Sequence, residues 1–171
     1  MDCKLKERHH QPAHDADLVP LSILVADDEA DDALLLQRAF EKAGIDAQLN
    51  FVHDGKQVLD YLRGTPPFAN RLANPLPALL LLDLKMPRMD GFEVLEWLRQ
   101  HPAFRRLAVI VFSGSDQPVD IERACALGAV RYLVKPPKFE DLLQMVRTVE
   151  KFLRKLAADR PLCADAHPMR I

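Results

Sequence analysis

Short apolar runs alternate with longer segments of helical period along most of the chain. "LSILVA" (21–26) is a strand-length run that ends on acids. "EADDALLLQRAFEKAG" then repeats apolar residues at Ala33, Leu36, Ala39, Phe40 and Ala43, and Gly44 predicts the helix end. A strand follows in "AQLNFVHDG", where Asp54 and Gly55 open the helix "KQVLDYLRG". The proline-rich loop "TPPFANRLANPLP" leads to the strand "ALLLLD" and the helix "GFEVLEWLRQH". Next come the strand "LAVIVFS", the helix "VDIERACALG", the strand "VRYLVK" and a final helix from Lys138 to Leu156.

Five strand–helix units in strict alternation predict an α/β fold. Continuous apolar strands read as buried on both faces of a parallel sheet. Right-handed crossovers then give an open, doubly wound five-stranded sheet, too small for an eight-fold barrel. The expected organisation is an N-terminal arm over 1–20, one domain over 21–156 and a short tail over 157–171 without an output domain. In such sheets, functional groups gather at the carboxyl ends of the strands.

The residues after each strand carry chemistry. Asp27, Asp28 and Glu29 follow the first strand, Asp83 the third, Ser113 and Gly114 the fourth, and Lys135 with Pro136 the fifth. Crowded carboxylates are costly unless something neutralises them. An oxygen-only set without His or Cys suits Mg²⁺ (or Mn²⁺). Such a set supports phosphoryl transfer to a carboxylate, with Asp83 as acceptor and Ser113 and Lys135 holding phosphoryl oxygens. Singly, each residue has a plainer role: Asp27 or Asp28 as a helix cap, Ser113 in a turn, Lys135 in solvent. Their joint occurrence at successive strand ends favours the site. Met86–Pro87 reads as a fixed turn, and Asp90–Gly91 as the start of a helix.

Composition narrows the class. A net charge of −2 over 171 residues argues against nucleic acid as a partner. The hydrophobic fraction of 49% fits a globular protein, and no run approaches the roughly 20 residues needed to cross a bilayer. Cys3, Cys125 and Cys163 are odd in number, far apart and without metal spacing, which suits a reducing compartment, and with a polar N-terminus a cytoplasmic setting is expected. His9, His10 and His14 read as part of a solvated arm.

From Leu21 to Leu156 the chain resembles the receiver domain of two-component response regulators. The resemblance rests on "ILVADDE", "LLLLDLKMPRMDGFE", "VIVFSGS" and "YLVKPP", with Ser113 thirty residues beyond Asp83 and Lys135 fifty-two beyond. It implies a flavodoxin-like sheet of strand order 2-1-3-4-5. It also implies that Asp83 accepts phosphate from the phosphohistidine of a sensor histidine kinase, and that the protein is not an enzyme in the ordinary sense. Asp28, Asp83 and the backbone carbonyl of Lys85 would bind Mg²⁺, with Asp27 acting through water. Ser113 and Tyr132 would form a switch, Lys85 and Ser115 would tune dephosphorylation, and the Lys135–Pro136 peptide would be cis. The long proline-rich loop resembles stand-alone regulators that partner phytochrome-type or hybrid kinases. Output is expected through protein contacts: a homodimer through the last helix and fifth strand, or relay to a histidine phosphotransfer protein. The last helix supports a contact surface, because Met145, Phe152 and Leu156 widen its apolar arc beyond what one sheet needs.

Overall fold

The structure, a computed structural model, describes residues 21–158. The expected N-terminal arm, nearly all of the expected tail, and Cys3 and Cys163 lie outside the described residues. The strands are β1 (Leu21–Ala26), β2 (Ala47–Val52), β3 (Leu79–Leu82), β4 (Ala108–Ser113) and β5 (Arg131–Val134). The helices are α1 (Ala30–Ala43), α2 (Gly55–Arg63), α3 (Gly91–Gln100), α4 (Pro118–Ala126) and α5 (Phe139–Ala158). All pairings are parallel, in the order β2-β1-β3-β4-β5.

Alternation along the central strands builds two cores. Leu24, Ala26, Leu80, Leu82, Val109 and Val111 face one side, against Val58, Leu62, Val94 and Leu95. Ile23, Val25, Leu79, Leu81, Ile110 and Phe112 face the other, against Leu36, Phe40, Val146 and Leu153. Every residue of β3 and β4 is buried. The expectation of burial on both faces fails at the edges: only Val52 of β2 is fully buried, and in β5 Arg131 and Val134 are exposed. An edge strand has one neighbour and shorter cover, so apolar composition alone does not bury it.

Helix ends follow the chain's local signals. Asp54 caps α2 by accepting from the Gln57 amide at 2.8 Å. Asp90 and Glu93 form a capping box at α3. Gly44 ends α1 at φ 68°, where a side chain would be strained. The last helix runs two residues beyond the expected Leu156. Its wide apolar arc is largely covered: Phe139, Leu143, Met145, Phe152 and Leu156 are partly buried against the second core, and α1 packs alongside. The Lys135–Pro136 bond is trans, correcting the expected cis form. The cis bond among the described residues joins Pro66 and Pro67. Trans is the favoured state of an X–Pro bond by about 0.5–1 kcal/mol.

Candidate functional site

The backbone ladder carries the acids to one place. Val25 pairs with Leu81 and Ala26 with Leu82, so Asp27 and Asp83 emerge side by side. The Asp83 amide donates to the Ala26 carbonyl at 2.9 Å, and the Asp27 amide to the Val52 carbonyl at 3.0 Å. On the other flank, the Lys135 amide donates to the Ser113 carbonyl at 2.9 Å. Adjacent β1 and β3 send their helices to opposite faces, so the acids occupy the switch point of the sheet.

Carboxylate oxygens of Asp27, Asp28 and Asp83 lie within 4.8 Å of one another. Asp27 and Asp83 are buried, while Asp28 is exposed at the mouth. Lys135 Nζ reaches across the edge to Asp27 Oδ2 at 2.8 Å, Asp32 Oδ2 at 2.8 Å and Asp83 Oδ2 at 2.9 Å. Burial alone would depress the Lys135 pKa, but the hydrogen bonds to Asp27, Asp32 and Asp83 outweigh it and hold the ammonium above its ordinary value. Burial raises the Asp27 carboxyl above the usual range, and contact with Lys135 offsets only part of that shift. One lysine, paired with three of them, is thus set against the four acids Asp27, Asp28, Asp32 and Asp83, which leaves excess negative charge for a divalent cation. The all-oxygen donor set fits Mg²⁺ or Mn²⁺.

Ser113 stands at the end of β4 with its hydroxyl fully buried and without a hydrogen-bond partner among the described residues. A buried hydroxyl left unpaired costs free energy unless a ligand satisfies it. The other predicted positions divide. Lys85 is exposed beside the acceptor, and its amide donates to Asp83 Oδ1 at 3.2 Å. Ser115 is turned toward α4, where its hydroxyl donates to Asp120 Oδ2 at 2.5 Å. The Tyr132 hydroxyl donates to the Ser115 carbonyl at 2.9 Å, and burial raises its pKa. Pro87 belongs to the turn after β3, Pro136 to the turn after β5, and Gly91 opens α3 directly beneath Asp83.

Two features escaped the sequence reading. Asp32 joins the lysine, and its spacing with Leu36 and Phe40 (i, i+4, i+8) could have placed it on the inward stripe of α1. Arg88, at φ 66°, pairs with the buried Asp54 and tethers the β3–α3 turn to α2. Burial would raise the Asp54 carboxyl, but Arg88 and Gln57 together hold it below the usual range.

A doubly wound sheet with three acids, a lysine and a free hydroxyl at its switch edge defines a receiver-type signalling domain. Residues 23–147 match the response regulator receiver domain, and the chain belongs to that family. It is 39% identical to the response regulator RPA3017 in red light signalling of R. palustris, covering 89% of this chain and 100% of that one with a TM-score of 0.74. It is 31% identical to the phosphorylated cyanobacterial phytochrome response regulator RcpA, covering 79% and 94% with a TM-score of 0.72. The Mn²⁺-bound form of Rcp1 of Synechocystis is likewise 31% identical, covering 88% and 100% with a TM-score of 0.70. The resemblance to phytochrome response regulators is thus borne out, as is the sheet order.

Proposed function

We propose that this receiver domain accepts a phosphoryl group on Asp83 from the phosphohistidine of a sensor histidine kinase of the phytochrome-associated type. The convergence of Asp27, Asp28, Asp83 and Lys135 with the unpaired Ser113 hydroxyl carries this reading. An Asp83 carboxylate oxygen attacks phosphorus; the P–N bond breaks, and its electron pair returns to the imidazole of the donor. Lys135 and Ser113 hold phosphoryl oxygens as charge develops on them. A bound Mg²⁺ or Mn²⁺, on Asp28, Asp83 and the Lys85 carbonyl with Asp27 behind, would neutralise charge on the transferred group.

The aspartyl phosphate changes the charge at one end of the sheet. Ser113 turns toward it, and Tyr132 transmits the change to the surface of α4, β5 and α5. Exposed Val130, just before β5, and Val134, at its end, favour a protein contact there, either a second copy or another partner. Onward transfer to a histidine phosphotransfer protein uses the same acyl phosphate. The setting is cytoplasmic; among the described residues no helix is long and apolar enough to cross a membrane. The Lys85 side chain screens the acceptor from water, so Lys85→Asn shortens the phosphoryl lifetime; an equal half-life would remove that role. The main test is incubation with acetyl phosphate and Mg²⁺ followed by intact mass. The native protein gains one phosphate and Asp83→Asn does not; a gain that survives the substitution overturns the assignment.

A further inference from the structure

Lys135 has three N–H donors and three carboxylate partners. Two of those partners have other work in the proposed reaction. Asp83 becomes the acyl phosphate and gives up its charge, and Asp27 belongs to the triad that gathers a cation. Asp32 lies outside that triad, in the first turn of α1, and is neither consumed nor shared. It meets Lys135 across 103 residues of chain at 2.8 Å. As the phosphoryl oxygen replaces the Asp83 contact, Asp32 is the partner that stays.

We infer that Asp32 is a positioning residue for phosphoryl capture, fixing the Lys135 ammonium where it can turn one proton to the phosphoryl group. The inference rests on the proposed acceptor role of Asp83. It competes with a simpler effect of opposite sign. Asp32 also adds negative charge near an incoming anion, so charge alone predicts that removing it tightens anion binding.

The test is binding of trifluoroberyllate, a phosphoryl mimic, in saturating Mg²⁺, with Mg²⁺ affinity measured separately. Asp32→Ala and Asp32→Asn should weaken trifluoroberyllate roughly three- to tenfold, with Mg²⁺ affinity unchanged or lower by less. Asp32→Glu, which restores a carboxylate within reach, should recover most of the loss. The Lys135 ammonium ¹⁵N resonance should broaden through faster proton exchange in the Ala variant and recover in the Glu variant. Equal or tighter trifluoroberyllate binding in both Asp32→Ala and Asp32→Asn overturns the inference and leaves the acceptor role intact. A loss explained wholly by Mg²⁺ affinity also overturns it. Failure of the native protein to bind trifluoroberyllate overturns the receiver chemistry itself, and this inference with it.

Discussion

Lys135 Nζ sits 2.9 Å from Asp83 Oδ2, so the proposed acceptor carboxylate is paired with an internal cation. That cation stands in for part of the charge a metal would supply. Lys135→Ala should therefore tighten Mg²⁺ by at least about threefold, because the acids lose their internal partner. Phosphorylation by acetyl phosphate should slow roughly 10- to 100-fold, the worth of one charge-assisted hydrogen bond to the phosphoryl group. Calorimetric Mg²⁺ titration and rates followed by intact mass check the two halves.

Ser113 offers a cleaner separation of stability from function. Its buried hydroxyl has no hydrogen-bond partner among the described residues, so Ser113→Ala should leave unfolding free energy unchanged or raise it by up to about 1 kcal/mol. The same variant should bind trifluoroberyllate more weakly. Urea melts of the two proteins decide: a marked destabilisation would mean the hydroxyl is structurally engaged.

Asp54 sets an acid limit. Its folded-state pKa lies below the ordinary value of 3.8, so it contributes stability above that value and loses it as pH falls. The loss should run from about pH 5 downward. Asp27 has the opposite sign: its pKa is raised, so acid relieves a cost. Asp54→Asn should flatten the fall in stability between pH 6 and pH 3 in urea melts, while lowering stability at pH 7 by about 1 kcal/mol through the lost charge facing Arg88, since asparagine keeps the cap. A slope equal to that of the native protein would discount the Arg88–Asp54 tether.

Gly91 and Gly114 form a matched pair. A Cβ at Gly91 would run into the Asp83 carbonyl and lie 2.8 Å from Leu84 Cα, so the backbone of the acceptor must move. At Gly114 a Cβ meets nothing within 4 Å. Gly91→Ala should cost about 1–3 kcal/mol and impair phosphorylation, and Gly114→Ala should be close to neutral. Thermal melts and acetyl phosphate labelling of both variants check the contrast.

Much of the site was legible because its residues follow strands whose apolar runs announce themselves. Asp27, Asp83, Ser113 and Lys135 each stand directly at or after such a run, and the caps at Asp54 and Asp90 are local signals. The sequence places Ser115 two residues past Ser113, but only the fold shows that its hydroxyl donates to Asp120. Proximity in the chain does not state side-chain direction. Arg88 and Asp54 are 34 residues apart, and nothing in either segment names the other.

By itself the sequence determined the five strand–helix units, their order along the chain and the chemistry delivered to one edge. Those features depend on periodicity and on residues a few positions apart. Tertiary structure decided which strands became edges, how α1 and the sheet cover the broad apolar arc of α5, and which carboxylates share Lys135. Each is a contact between distant segments, formed only when sheet order and helix packing bring them together. Asp32 shows the division: its place on the inward stripe of α1 was written in the sequence, but its partner was chosen by the fold.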